Sequence, residues 1–143
     1  MITGVYGEIG SGKSWIMLHS ALRDCQKRKK KLLTNFGLNM HDLKIYAASF
    51  GWHWVVWLID NHQITVMDTV TSLADMIDHP QTIVCLDEAG IFLNARQYSK
   101  TPSKLLEDLC QSRKDGTDLY FAAQFDRQVD SQFRNLAQWI IQC

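Results

Sequence analysis

The chain is 143 residues long, 46% hydrophobic and 21% charged, with 15 acidic and 15 basic side chains and a net charge of zero. That length suits one domain with a full core. That charge excludes a global field drawing the protein to nucleic acid or membrane, so any such contact has to come from a local patch.

The first predicted element is a short β-strand, Ile2-Thr3-Gly4-Val5-Tyr6, which starts so early that a signal peptide has no room before it. Gly7-Glu8-Ile9-Gly10-Ser11-Gly12-Lys13-Ser14 follows and reads G-x-x-x-x-G-K-S, the phosphate-binding loop pattern. Its glycines let the backbone turn tightly and bring N–H groups onto phosphate oxygens. Lys13 is placed for the β- and γ-phosphates and the Ser14 hydroxyl for one site on Mg²⁺. A helix running from Trp15 to Leu22, apolar at helical spacing, would turn its positive end to the same anions. The expected binding residues are Gly7, Glu8, Ile9, Gly10, Ser11, Gly12, Lys13, Ser14 and Trp15.

The run Arg23-Asp24-Cys25-Gln26-Lys27-Arg28-Lys29-Lys30-Lys31 is the strongest charge run. It reads as a solvated helix end whose cations favour the negative pole, with a nucleic-acid or acidic-lipid contact as the alternative. Lys31 to Phe36 reads as a second strand, stopped by Gly37. Residues 38 to 81 are the least legible. Trp52, Trp54, Val56 and Leu58 alternate as in a half-buried strand, and Ile64 to Met67 would pair with it across Asp60 to Gln63, a small β-hairpin insertion over 52–67. The tryptophans Trp52, Trp54 and Trp57 suit core or a subunit contact, with a base-stacking platform as the alternative. A short amphipathic helix from near Asp68 to Pro80 also fits.

Thr82-Ile83-Val84-Cys85-Leu86 is a continuous apolar run that fits a parallel strand buried on both faces, and it ends in Asp87-Glu88. Carboxylates at that end lie where open α/β sheets bind ligands. Asp87 is positioned to hold Mg²⁺, and Glu88 to orient or deprotonate a water aimed at the γ-phosphate. Thr101-Pro102 looks like a helix start, with Leu105, Leu106, Leu109 and Cys110 as its apolar stripe and Asp115-Gly116 as its end. Asp118 to Gln124 is another buried strand, with Gln124 at its carboxyl end within reach of the γ-phosphate or the attacking water. Trp139 to Cys143 is a final strand. The four cysteines, Cys25, Cys85, Cys110 and Cys143, make no C-x-x-C pair and no zinc spacing. A reduced, cytoplasmic protein is expected, with Cys85 and Cys110 as small core residues.

Together the loop, Asp87-Glu88-Ala89, Arg96, the basic turn Arg113-Lys114-Asp115-Gly116, the Gln124 strand and Arg134-Asn135-Leu136 resemble the FtsK/HerA branch of P-loop ATPases. Within it they look most like the Zot-like proteins, the N-terminal domains of filamentous-phage assembly proteins; the Thr34-Asn35 pair also fits. The resemblance implies a three-layer α/β fold with a mainly parallel five-stranded sheet, in the order 5-1-4-3-2. It implies ATP and Mg²⁺ as ligands and a homo-oligomeric ring, commonly a hexamer. One subunit's arginine would reach its neighbour's γ-phosphate, with Arg113 the first candidate and Arg96, Arg127 and Arg134 behind it. Zot-like proteins normally continue into a membrane-spanning helix, and its absence from this sequence is a departure from the family pattern; the resemblance implies host cytoplasm, with inner-membrane association open only through segments beyond Cys143.

The function expected is an ATP-hydrolysing motor for phage or virus assembly, extrusion or DNA translocation, working on phage DNA or virion proteins. Its catalytic set is Glu88, Gln124, Lys13 and Arg113, with Ser14 and Asp87 on the metal. A viral genome-packaging ATPase of the same branch shares every motif. A non-hydrolysing nucleotide-binding scaffold fits less well, because Lys13, Ser14, Asp87 and Glu88 are all intact. A small-molecule P-loop kinase fits less well, because a carboxylate pair suits attack by water better than transfer to an alcohol.

Overall fold

The computed structural model describes residues 1–8, 10–68, 77, 79–88, 111, 114–124, 137 and 139–143. In chain order these form β1 (Ile2–Tyr6), α1 (Lys13–Arg28), β2 (Lys31–Thr34), α2 (Met40–Ser49), α3 (His53–Asp60), β3 (Ile64–Val66), β4 (Thr82–Leu86), β5 (Asp118–Ala123) and β6 (Trp139–Gln142). The strands make one sheet in the order β3-β2-β4-β5-β1-β6, and every pairing is parallel. From β6 through β1, β5 and β4 to β2, this is the expected five-stranded order. β3 adds a sixth strand outside β2.

Every residue of β1, β4 and β5 is buried, so these strands are covered on both faces. One face of the sheet packs Val5, Leu32, Ile83, Cys85, Tyr120 and Ala122 into a cluster with α1, α2 and α3. Their neighbours Leu33, Val84, Leu86, Leu119 and Phe121 point to the opposite face by alternation and are buried too. Helix α1 presents Met17, Leu18, Ala21, Leu22 and Cys25 to the sheet, a stripe at three- and four-residue spacing. Full burial of one such leucine stabilises the fold by about 1.5–3 kcal/mol. Among the described residues no helix is long and apolar enough to cross a membrane.

The hairpin over 52–67 is not formed. His53–Asp60 is helix α3, and Ile64–Val66 pairs in parallel with Leu32–Thr34. The alternation of Trp52, Trp54, Val56 and Leu58 misleads because the segment is apolar at almost every position, so it satisfies both periods. The pair actually buried is Val55 and Leu58, three apart. A parallel neighbour also needs a crossover longer than a hairpin turn, and α2 and α3 supply it. The tryptophans do not form one cluster. Trp52 stacks on Phe50 at 4.8 Å, whereas Trp54 stacks on Trp57 at 4.9 Å and donates from Nε1 to Lys30 O at 2.9 Å. Strand β2 stops at Thr34, two residues short of the predicted end. Cys25 and Cys85 are buried free thiols, and Cys143 is free and exposed. The helix expected near 68–80 falls on too few described residues to be judged. The helix starting at Thr101, Cys110 and Arg134-Asn135-Leu136 lie outside the described residues.

The basic run covers the last turns of α1 and the residues just after it. Half-buried Lys30 reaches Asp118 Oδ2 at 2.8 Å and exposed Arg28 reaches the same oxygen at 3.0 Å, while Lys27, Lys29 and Lys31 are exposed.

Candidate active site

The glycine-rich loop leaves the carboxyl end of β1. Gly7 N–H donates to Ala123 O at 3.2 Å, which ties the start of the loop to the end of β5. A Cβ on Gly7 would run into Ser11 Oγ and would lie 3.0 Å from Cys143 Cβ, so any side chain there would have to displace Ser11. Gly10 and Gly12 adopt left-handed φ values of 79° and 82°, and the space where their side chains would project is open. Ser11 N–H closes the turn on Glu8 O at 3.1 Å. Ser11 Oγ is buried and has no hydrogen-bond partner among the described residues.

Gly12 is the N-cap of α1. No side chain caps the helix and its first turn carries no acid. The first helical N–H groups and the positive end of the dipole therefore begin at Gly12 with no side-chain cap among the described residues, beside the open space at Gly10 and Gly12, an arrangement suited to anions. Lys13 Nζ lies 3.5 Å from Glu8 O, folded back over the loop.

The loop meets the end of β4 directly. Ser14 Oγ donates to Asp87 Oδ2 at 2.7 Å. Asp87 is fixed by Asn35 at the end of β2, whose Oδ1 accepts from Asp87 N at 2.7 Å and whose Nδ2 donates to Asp87 O at 3.0 Å. Asn35 is itself anchored by donating its N–H to Cys85 O at 3.2 Å. The sequence drew attention to Asn35 only through the Thr34-Asn35 pair and gave it no role. Its bond to Asp87 spans 52 residues, and no local pattern could have signalled it.

Glu88 is exposed, and its backbone sits at φ 53°, a region that non-glycine residues seldom adopt. Its N–H donates to Asp87 Oδ1 at 2.9 Å. Strained backbone of this kind clusters at functional sites. Gln124 is half-buried directly after Ala123, the residue that accepts from Gly7. Trp15 is 51% exposed in the first turn of α1 and meets Tyr46 edge-on at 4.9 Å. Ile9, Arg96, Arg113 and Arg127 lie outside the described residues.

The donor set fits a hard cation with a polyphosphate. A hydroxyl and a carboxylate share one hydrogen bond, and among the described residues no group of three or more His, Cys, Asp or Glu forms a protein cage. Magnesium is characteristically held by one or two such oxygens, with substrate phosphate and water completing the shell. The open space at Gly10 and Gly12 and the Ser11 hydroxyl, without a partner among the described residues, would give phosphates room and hydrogen-bonding capacity.

A family model for zonular occludens toxin (Zot) matches residues 1–143. No curated protein matches. Among solved structures, the genome packaging NTPase B204 from Sulfolobus turreted icosahedral virus 2, in complex with AMPPCP, is similar with a TM-score of 0.66 and 16% identity, over 99% of this chain and 74% of that one. B204, the DNA-packaging ATPase from Sulfolobus turreted icosahedral virus, gives 0.64 and 19%, over 99% and 74%. The N-terminal domain of zonular occludens toxin from Neisseria meningitidis gives 0.60 and 20%, over 96% and 73%. At these identities the likeness establishes a common fold.

Proposed function

This chain belongs to the zonular occludens toxin (Zot) family, and from that premise we propose that residues 1–143 act as one ATP-hydrolysing motor domain for virion assembly or DNA movement. The observation that carries the reading is the 2.7 Å bond from Ser14 Oγ to Asp87 Oδ2, which joins the phosphate loop to the carboxylate strand. In the proposed complex the amides of the loop and of the first turn of α1 cradle the phosphates. Lys13 swings from Glu8 O to the β- and γ-phosphates. Ser14 and Asp87 hold Mg²⁺, which when bound neutralises charge on the phosphate oxygens. Glu88 accepts the proton of the attacking water, and Gln124 hydrogen-bonds that water or the γ-phosphate. Arg113 of a neighbouring subunit completes the site in a homo-oligomeric ring, six-membered by the resemblance.

In this reading the work is done on phage DNA or virion proteins in the host cytoplasm, and at the inner membrane only where segments beyond Cys143 anchor the chain. The B204 likeness supports a second reading, genome packaging, since those proteins are described as packaging enzymes. Stimulation of turnover by DNA alone would favour it.

The test is steady-state ATP turnover of Glu88→Gln. We expect a fall of about 10²–10⁴-fold, the range for a general base, with nucleotide binding retained. Unchanged turnover removes Glu88 from the role.

A further inference from the structure

A cavity of about 250 Å³ lies where β2, β3 and β4 begin. Every strand pairing is parallel, so this is the end of the sheet away from the phosphate loop, which leaves the carboxyl end of β1. The chain enters β2, β3 and β4 through left-handed residues, Lys29, His62 and Gln81, with φ of 56°, 55° and 54°. These tight turns bring Lys31, His62 and His79 to one hollow, with Gln63 and Thr65 beside them. The walls are tied down. Lys31 N–H donates to Gln81 O at 3.1 Å. Two threonines hold the turn at His79 and Pro80: Thr117 Oγ1 donates to His79 O at 2.6 Å and Thr82 Oγ1 to Pro80 O at 3.0 Å.

The lining is rich in donors. Lys31 Nζ carries three, each imidazole carries at least one in either protonation state, and the Thr65 hydroxyl carries another. None of these four side chains makes a hydrogen bond or ion pair with a described residue. No carboxylate lines the hollow among the described residues. Of the basic run, Arg28 and Lys30 are taken by Asp118, whereas Lys31 is not, and Lys27 and Lys29 stand exposed just before it. Helix α3 ends at Asp60, two residues before His62, and a helix carboxyl end is unfavourable for an anion. Its last carbonyls are already engaged, however. Leu58 O accepts from Gln63 N–H at 2.8 Å, Ile59 O from His62 N–H at 3.2 Å and Trp57 O from Asn61 N–H at 3.0 Å.

An ammonium group in the hollow opposes a metal ion and favours an oxyanion. Nor do the described residues offer three metal ligands together. The volume falls below the about 300–1,000 Å³ usual for organic ligands and suits a single tetrahedral group. We propose that this hollow binds a phosphate group through Lys31, His62 and His79, supplied either as inorganic phosphate or as one phosphodiester of a nucleic-acid strand whose neighbouring phosphates pass Lys27 and Lys29. None of the three residues belongs to the proposed nucleotide site, so the two readings fail separately.

The experiment follows the imidazole NMR signals of the full chain while inorganic phosphate replaces chloride at constant ionic strength. His62 and His79, assigned with His62→Gln and His79→Gln, should shift together and saturate, while His19, His41 and His53 stay in place. Lys31→Gln should weaken the phosphate affinity about tenfold, the scale of one hydrogen bond to a charged group, and leave ATP turnover unchanged. No saturable shift at His62 and His79 overturns the site. So does a shift that Lys31→Gln leaves untouched, or equal movement of all five histidines, which marks a bulk salt effect. A short single-stranded oligonucleotide then separates the sources. If it moves the same two signals, with an affinity that falls as salt rises, the site holds a strand. If inorganic phosphate alone moves them, the site holds the free ion.

Discussion

Asp118 opens β5 and Asp87 follows β4, its neighbour in the sheet, so the two carboxylates stand at opposite ends of adjacent strands. Asp118 is buried and fully engaged: the Met1 ammonium and Lys30 each reach it at 2.8 Å and Arg28 at 3.0 Å. Asp87 is half-buried and receives one hydroxyl, from Ser14, and one N–H, from Glu88. Beside it in the chain stands an exposed Glu88, and the loop that Ser14 closes carries a Lys13 resting on a carbonyl at 3.5 Å and a Ser11 hydroxyl with no partner among the described residues. Charge that the chain satisfies itself holds the fold. Charge left with open valences, beside open glycines, is what the proposed function assigns to an arriving ligand.

The largest effect should come from breaking the closed end. Asp118→Ala leaves the cations Met1, Lys30 and Arg28 without their partner, and loss of about 3–5 kcal/mol is expected in urea unfolding, the usual cost of opening a buried ion pair. Turnover per folded molecule should not change. A loss below about 1 kcal/mol would mean that the cluster is no more than a surface contact. The same carboxylate gives a pH signature. Burial pushes its pKa up, but the hydrogen bonds and charges of Lys30 and the terminal ammonium outweigh burial and hold it below the ordinary 3.8. Its contribution is therefore complete above the unfolded value and fades as pH falls through the lower folded value. The stability gap between the native chain and the variant should be flat between about pH 5 and 7 and close in stronger acid. A gap that widened in acid would reverse the assignment.

Lys13→Ala probes the open end. Turnover should fall about 10²–10³-fold, as when one preorganised electrostatic contact is removed. Stability should move by no more than about 0.5 kcal/mol, because the residue's 3.5 Å contact holds nothing in place. A large loss of stability would mean that the two ends do not differ as described.

Asn35→Leu tests the boundary between them. It strips two hydrogen bonds from the backbone of Asp87, at about 1–3 kcal/mol for the polar groups left behind. The Mg²⁺ concentration for half-maximal turnover should also rise several-fold, since the carboxylate is no longer aimed. A variant with lower stability and an unshifted Mg²⁺ requirement would make Asn35 a fold residue only.

Much of this was legible in the residues. The segment from Ile2 to Ser14, the apolar run into Asp87-Glu88 and the strand ending at Gln124 each carry their meaning locally, and the structure orders those strands as expected. Residues 40–60 were opaque for a physical reason. An eight-residue helix with six apolar side chains, such as His53–Asp60, has no polar face to reveal its period. Asn35 was noticed only as part of the Thr34-Asn35 pair and had no role to read, for another reason: its significance lies in Asp87, which the tertiary fold brings beside it.

The strand that launches the phosphate loop has both of its sheet neighbours near the far end of the chain. Residues 2–6 pair with 119–123 on one side, and residues 3–6 with 139–142 on the other. As the chain leaves the ribosome, β1 waits unpaired through more than a hundred residues of synthesis. Its order depends on long-range closure, the slow kind of contact. On the proposed function, competence to grip a phosphate is thus acquired late: a nascent chain halted before residue 118 carries the complete loop sequence and lacks both strands that pair with β1.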